Sequence, residues 1–266
     1  MIRDITLGQY YPADSVLHKM DPRTKLVGTL IFIISLFLFR SFPCYVLAAL
    51  FLASVIRISK VPFKFMVKGL KAVLILLLIT VAFNLFLTPG KKVFHIWKLK
   101  VTYEGILQAV FMAIRLSFLI IGSSVLTLTT TPNNLTDGLE KGLGFLKKVR
   151  VPVHEVAMMM SIALRFIPIL LEETDKIMKA QQARGADFES GGLIQRAKNL
   201  VPLLVPLFIS AFRRANDLAM AMEARGYRGG EGRTKMKPLI YRRRDYLGYG
   251  VLAAYLCGIC VIGIFL

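Results

Sequence analysis

The sequence has few of the side chains that carry out chemistry. Its three cysteines, Cys44, Cys257 and Cys260, lie within apolar runs, and its three histidines lie in separate segments. Neither group has the spacing of a metal site or of a disulfide framework. A phosphate-binding loop, a G-x-S-x-G turn and an HExxH helix are also absent from the sequence. We therefore predict a protein that is not an enzyme, with no catalytic residue, no metal site and no cofactor of its own.

Acidic residues are also scarce: 16 Asp and Glu stand against 35 Lys and Arg, and the net charge is +19. A nucleic acid is a poor explanation for this excess, because the basic residues are scattered between apolar runs without an interleaved aromatic motif. Anionic lipid headgroups and the preference for basic loops on the cytoplasmic side explain most of it. A partner protein with an acidic surface is a further explanation. We predict no nucleic-acid partner.

Hydrophobic residues, in contrast, are abundant. They make up 55% of the 266 residues, and the mean hydropathy is +0.59, which is too apolar for an ordinary soluble domain. Several apolar runs approach the ~20 residues that a helix needs to cross a bilayer. Asp21 followed by Pro22 predicts the N-cap and first position of the first helix. We predict an all-α, polytopic membrane protein with about five transmembrane helices, at residues 26–39, 44–56, 70–87, 105–130 and 246–266.

This pattern divides the chain into three parts. We predict an N-terminal membrane domain of about four spans at residues 1–131, a cytoplasmic domain with two long helices at 132–245 and a C-terminal transmembrane helix at 246–266. Within the middle part, residues 153–183 and 193–224 carry too many charges for ordinary spans. We expect each of them to form a long amphipathic helix with one end in lipid and one in the cytosol.

The basic residues predict the orientation in the membrane. The connection 57–71 and the segment 133–246 are rich in Lys and Arg, and both are cytoplasmic if the N-terminus is cytoplasmic. Residues 91–102 carry four lysines that would then face outside, against this bias, and we expect them to form an interfacial loop. We predict a multi-pass protein of the plasma membrane with a cytoplasmic N-terminus.

One short motif occurs twice, at the ends of the two long helical segments. Ala183-Arg184-Gly185 is followed 41 residues later by Ala224-Arg225-Gly226. Glycine after the last turn is a common helix stop, and arginine in that turn complements the helix dipole, so either copy alone has an ordinary explanation. Two copies favour a contact with a partner, because a small Ala lets a helix end enter a groove while the guanidinium reaches a carboxylate.

These residues together resemble the transmembrane subunit of energy-coupling factor transporters, which are ATP-driven importers. The resemblance rests on Leu17-His18-Lys19-Met20-Asp21-Pro22-Arg23, on Leu164-Arg165-Phe166-Ile167-Pro168 and on the two Ala-Arg-Gly motifs. It implies that residues 132–245 are a coupling domain, and that the motifs dock into two ABC-type ATPase subunits, which bind the ATP. It also implies that the two long helices cross and support a membrane-embedded substrate-binding subunit, for uptake of vitamins or other micronutrients.

Two hypotheses about the long helices come from the residues themselves. Under the 41-residue offset, Glu172 and Glu173 coincide with Arg213 and Arg214, so ion pairs would form if the helices cross there. The alternative is that both pairs face water, where such pairs contribute little.

The second hypothesis concerns flexible thioether side chains. Met158, Met159 and Met160, with Pro168 further along the same segment, would contact the substrate-binding subunit, because adaptable Met surfaces suit a scaffold with several partners. Methionine is also ordinary core filler, and Pro168 also explains a kink.

A different class of function remains open at this stage. Arg115 lies within the fourth predicted span, and charges inside spans often mark a transport path. The protein would then be a self-contained secondary transporter or channel. The alternative is that Arg115 reaches the interface or pairs with another polar group.

Overall fold

The structure is a computed structural model that describes residues 10–39, 41–88, 92–96, 99–188, 190, 192–230, 236 and 238–265. The chain divides into two compact units. One, here termed the membrane unit, contains Gly8–Gly142 and Leu239–Leu266, and the other, the coupling unit, contains Leu143–Pro238.

Helices dominate both units, as predicted. The membrane unit contains α1 (Pro22–Leu38), α2 (Phe42–Ser59), α3 (Phe63–Leu87), strands β1 (Lys92–Ile96) and β2 (Leu99–Thr102), α4 (Tyr103–Thr129), α5 (Pro132–Gly142) and α9 (Arg243–Phe265). The coupling unit contains a 3-10 helix (Gly144–Val149), α6 (Val153–Ala183), α7 (Leu193–Asn199) and α8 (Val201–Ala224). The prediction of an all-α, polytopic membrane protein is confirmed, apart from the short β1–β2 hairpin.

The number of possible spans agrees with the predicted five, but their identities differ in part. Among the described residues, α2, α4, α6 and α9 are long and apolar enough to cross a membrane, and α3 is a fifth if its 61° bend lies within one span. α6 is therefore a candidate span, although we expected its charges to exclude it. α1 has 17 residues and a length of about 25 Å, which is short for a ~30 Å bilayer core.

The hairpin replaces the interfacial loop that we expected at residues 91–102. Its strands pair antiparallel, from Lys92 opposite Thr102 to Ile96 opposite Leu99, with an irregularity between Lys92 and Phe94. Valine, isoleucine, phenylalanine and threonine predominate in the two strands, and these residues favour extended structure.

The start of α1 is built as the Asp21-Pro22 pair predicted. The Asp21 carboxylate accepts a hydrogen bond from Arg23 N–H at 2.9 Å, and Pro22 takes the first helical position. The Arg23 guanidinium donates two further bonds of 3.0 Å to the same carboxylate. Burial raises the pKa of Asp21, but these bonds from Arg23 outweigh it and hold that pKa below its usual range.

Asp245 connects the start of α1 with the start of α9. Its carboxylate accepts the Asp21 N–H at 2.7 Å and the Arg242 N–H at 2.8 Å, and the residue is 1% exposed. Arg23 completes the connection, with its guanidinium 4.0 Å from the centre of the Tyr241 ring. The segment before α9 is therefore held against the first turn of α1.

The helices of the membrane unit run alternately in opposite directions. Lys25 Nζ donates to the Thr129 carbonyl at 2.9 Å, which places the end of α4 beside the start of α1. At the opposite end, Thr102 Oγ1 donates to the Thr88 carbonyl at 2.9 Å, which brings together the end of α3 and the start of α4. The starts of α1, α3 and α9 and the ends of α2 and α4 therefore share one face.

The core of the membrane unit lies between α1, α2 and α9. Phe51 stacks on Tyr255 at 4.3 Å between ring centres, and the Tyr255 hydroxyl lies 2.8 Å from Ser35 Oγ. A second cluster, which includes the fully buried Met66 with Val125 and Leu128, fills the space near the shared face.

α5 belongs to the membrane unit, whereas we predicted the cytoplasmic domain to begin at residue 132. A Cβ atom on Gly138 would lie 2.9 Å from Pro22 Cβ and 3.2 Å from Leu26 Cδ1, so α5 packs directly on α1. The C-terminal helix α9 packs on α1 and α2 of the same unit. The observed units divide near residues 142 and 238.

Replacing Gly138 with alanine tests this packing. A methyl group at 2.9 Å from a rigid proline ring forces a shift, and overpacking of this kind costs about 1–3 kcal/mol. We expect the thermal midpoint in detergent to fall by several degrees. Gly142→Ala is the matched control, since nothing lies within 4 Å of the added carbon. Equal midpoints for the two variants would contradict the close approach of α5 and α1.

Candidate functional site

The end of α6 has a specific backbone geometry. Gly185 has φ +89°, its N–H donates to the Gln182 carbonyl at 3.0 Å, and the Ala186 N–H donates to the Gln181 carbonyl at 3.0 Å. This pair of bonds is the Schellman motif, in which a residue with positive φ reverses the chain and satisfies the last carbonyls of a helix. Arg184 is the capping residue just before the reversal.

The end of α8 repeats this geometry. Gly226 has φ +68°, its N–H donates to the Glu223 carbonyl at 2.9 Å, and the Tyr227 N–H donates to the Met222 carbonyl at 3.0 Å. The capping residues also match: φ and ψ are −88° and 6° at Arg184, and −88° and 7° at Arg225. The repeated sequence motif is therefore a repeated structure, and the two copies are termed the Arg-Gly ends.

All six residues of the Arg-Gly ends are exposed, namely Ala183, Arg184, Gly185, Ala224, Arg225 and Gly226. A Cβ atom on Gly185 or Gly226 would meet nothing within 4 Å, so the positive φ alone requires glycine there. Within the described chain, neither Arg184 nor Arg225 forms an ion pair. Each end therefore presents a small, open helix terminus with a free guanidinium.

α6 and α8 cross antiparallel in the coupling unit. Near the end of α6, Gln181 Nε2 donates to the carbonyl of Pro202 at the start of α8, at 3.3 Å. Ile162, in the first half of α6, and Met222, near the end of α8, line the same cavity of about 290 Å³. The helix ends therefore point away from each other along the pair.

One of the two predicted charge pairs is present at this crossing. Glu173 accepts from Arg214 Nη2 at 2.5 Å and from Ser210 Oγ at 2.5 Å. Glu172 and Arg213 are exposed and, among the described residues, do not pair with each other. Successive residues of a helix point about 100° apart, so both members of Glu172-Glu173 cannot face the same neighbour.

The methionines proposed for partner contact do not share one face. Met159 and Met160 are 57% and 43% exposed, whereas Met158 is half-buried. Pro168 lies within α6 and is exposed.

A more continuous apolar surface lies on α8, and our sequence analysis missed it. Val201, Val205, Phe208 and Phe212 are all at least half exposed and are spaced by four, three and four residues. This spacing puts them on one side of the helix. The signal was present in the sequence, but the same residues also fit an ordinary apolar run.

Arg115 has neighbours that fix it in place. Its Nε donates to the Tyr45 hydroxyl at 2.9 Å, and its guanidinium lies 5.5 Å from the centre of the Phe37 ring. A cation held by a buried tyrosine and an aromatic face fits a structural role between helices. In the part of the chain that the structure describes, no group of three His, Cys, Asp or Glu could hold a metal ion.

Comparison with known proteins identifies the protein family. The profile of the family described as "Cobalt transport protein" (CbiQ) matches residues 13–236, which is most of the chain. That match includes α1, the antiparallel α6 and α8, and both Arg-Gly ends.

Individual relatives within this family share a more specific name. The chain is 58% identical over 265 residues to a protein of Clostridium kluyveri, with 98% of this chain and 96% of the relative covered. It is 54% identical over 255 residues to one of Thermosediminibacter oceani (95% and 96% covered) and 50% identical over 246 residues to one of Bacillus subtilis (92% and 93% covered). All three are named "Energy-coupling factor transporter transmembrane protein EcfT". This chain belongs to that family, which confirms the resemblance seen in the sequence.

A double-mutant cycle on Glu173 and Arg214 tests the crossing. Both side chains are partly exposed, at 22% and 38%, so we expect a coupling free energy of about 0.5–1 kcal/mol, at the upper end for exposed ion pairs. The measurement is thermal or denaturant unfolding of Glu173→Gln, Arg214→Gln and the double variant. The same cycle on Glu172 and Arg213 is the control and should give no coupling. Equal coupling in both cycles would contradict this crossing.

Proposed function

We propose that this chain is the non-catalytic coupling scaffold of an ATP-driven importer, placed between two ATPase subunits and a substrate-binding membrane subunit. The observation that carries the proposal is the pair of Arg-Gly ends, which repeat the same cap and expose the same unpaired cation. Either end alone would serve as an ordinary helix stop, but the repetition of the cap together with the exposed cation favours contact with partners. Two identical contact points suit two copies of one kind of partner, or two closely related partners.

The proposed ATPase contact is electrostatic and steric. Ala183 and Ala224 keep the last turn of each helix narrow, and Gly185 and Gly226 turn the chain away from it. The guanidinium is then free to reach a carboxylate in a groove of the ATPase, where it forms two parallel hydrogen bonds. ATP binds and is hydrolysed in the ATPase subunits, since this chain has no phosphate-binding loop. Closure of the two ATPases moves the two helix ends.

The proposed substrate-binding subunit lies against the apolar residues of the coupling helices. The α8 stripe, formed by Val201, Val205, Phe208 and Phe212, is exposed in the chain by itself and is a surface that a membrane partner would cover. Met158, Met159, Met160 and Pro168 of α6 add the adaptable contacts that a scaffold with alternative partners requires. Substrate recognition, for vitamins or other micronutrients, belongs to that subunit.

The proposed orientation places the shared face of the membrane unit in the cytoplasm. Arg23, Lys60 and Arg242 lie at this face, at or near the starts of α1, α3 and α9. Basic residues concentrate at the cytoplasmic ends of spans, and the plasma membrane is the location that an uptake system requires. The N-terminus is then cytoplasmic.

Replacing both arginines tests the ATPase contact. In Arg184→Ala combined with Arg225→Ala, we expect the ATPase subunits to be lost from the tagged, purified complex by about tenfold or more, because each removes a charge-assisted contact. Substrate-dependent ATP hydrolysis in vesicles should fall in parallel. Arg213→Ala is the matched control, an exposed arginine on α8 outside both ends. Full ATPase retention in the double variant, or uptake without any ATPase, would contradict the proposal.

Changes in the α8 stripe test the second contact separately. Phe208→Ser with Phe212→Ser should reduce co-purification of the substrate-binding subunit several-fold, since each removes a large apolar contact, while ATPase retention is unchanged. Ile194→Ser is the control, because Ile194 is 77% exposed on α7.

Replacing Met158, Met159 and Met160 with leucine should alter the exchange of substrate-binding subunits more than ATPase docking. Equal effects on both partners would contradict this division of surfaces.

A further inference from the structure

The membrane unit contains a cavity that the coupling role does not use. It lies between α1, α2, α4 and α9, has a volume of about 310 Å³ and is partly open. This volume is at the lower end of the ~300–1,000 Å³ that ligand sites usually occupy. Most of its wall is apolar, with Gly28, Phe32, Val251 and Leu252 as examples.

Two cations line the polar end of this cavity. Lys25, in the first turn of α1, is 9% exposed, and Arg244, in the first turn of α9, is exposed. Both turns start at the shared face, because Asp245 joins them. The cavity therefore runs from a cationic end at the shared face toward the apolar interior of the bundle.

Lys25 has no carboxylate in direct contact, and the charges of Asp21 and Asp245 act on it only from a distance. Its Nζ donates to the Thr129 carbonyl at 2.9 Å, and no carboxylate of the described chain lies within 4.0 Å of it. The Asp21 carboxylate is engaged by Arg23, and that of Asp245 by two backbone N–H groups. An ammonium has three donors, and burial without a directly bonded anion is costly. An anion in the cavity would supply the direct contact and the missing acceptors.

Thr24 gives a second, independent indication. Its side chain lines the same cavity, the residue is 5% exposed, and its buried Oγ1 has no hydrogen-bond partner. Nearly all buried hydroxyl groups in proteins have a partner. A ligand oxygen beside Lys25 would satisfy this hydroxyl.

We propose that this cavity binds an anionic phospholipid, with its phosphate between Lys25, Arg244 and Thr24 and one acyl chain along the apolar wall. The arginine fork and the ammonium suit a phosphate, and the apolar wall suits a hydrocarbon chain. With the shared face in the cytoplasm, as proposed above, the site lies at the leaflet surface where anionic lipids are most abundant. The site joins α1, α2, α4 and α9, so the bound lipid acts as part of the packing of the membrane unit.

Lipid binding to the full-length protein, purified in a mild nonionic detergent, tests the proposal. Native mass spectrometry with added dioleoylphosphatidylglycerol should show one saturable site, while dioleoylphosphatidylcholine binds about tenfold more weakly or less. Water-soluble glycerophosphoglycerol is the same headgroup without acyl chains, so it tests whether the headgroup alone binds. It should not compete with the lipid. Equal binding of the two lipids, or full competition by the soluble headgroup, would overturn the assignment.

Adjacent arginines provide a matched pair of variants. Arg244→Gln should weaken phosphatidylglycerol binding by about tenfold, whereas Arg243→Gln, with the same loss of charge, should change it less than about twofold, because Arg243 does not line the cavity. Thr24→Val removes the hydroxyl at constant volume and should weaken binding without loss of fold. Lys25→Met should act in the same direction. Equal effects of Arg243→Gln and Arg244→Gln would show diffuse attraction only and would also overturn the proposal.

Discussion

The membrane unit depends on the buried carboxylate of Asp245. It accepts two backbone N–H groups, those of Asp21 and Arg242, which would otherwise lack acceptors, at a cost of about 1–3 kcal/mol each. This contact fixes the start of α9 beside the start of α1, although more than 200 residues separate them. The cation–aromatic contact of Arg23 with Tyr241 and the cavity that Lys25 shares with Arg244 both follow from that placement.

Small residues then decide how closely the helices approach. A Cβ atom on Gly122 would lie 2.8 Å from the Phe32 ring, and one on Gly28 would lie 3.1 Å from Leu252. Between membrane helices the lipid is as apolar as leucine, so close van der Waals packing, rather than exclusion of water, holds them together. The many large apolar side chains that remain exposed face lipid or a partner, and those of α8 form the most regular surface.

Local signals in the sequence predicted the local structure, and contacts between distant segments accounted for the errors. Asp21-Pro22 and both Arg-Gly ends fold as their residue types indicate, because caps need only a few neighbouring residues. The offset that aligned Glu173 with Arg214 could not tell which of two adjacent glutamates faces the crossing. The close contact of α5 with Pro22 was not predicted, because it depends on the room at Gly138, which no local pattern shows.

The contact between Glu173 and Arg214 has a geometric consequence. The two residues occupy equivalent positions in the segments that end in Arg-Gly, 41 residues apart, and they touch. When equivalent positions of two antiparallel helices touch, an approximate twofold axis passes through the contact. Arg184 and Arg225 each lie 11 residues beyond it, or roughly 16 Å along the helix. The pair is therefore a lever with two equal arms, and a change of crossing angle at its pivot displaces both arginines by the same amount.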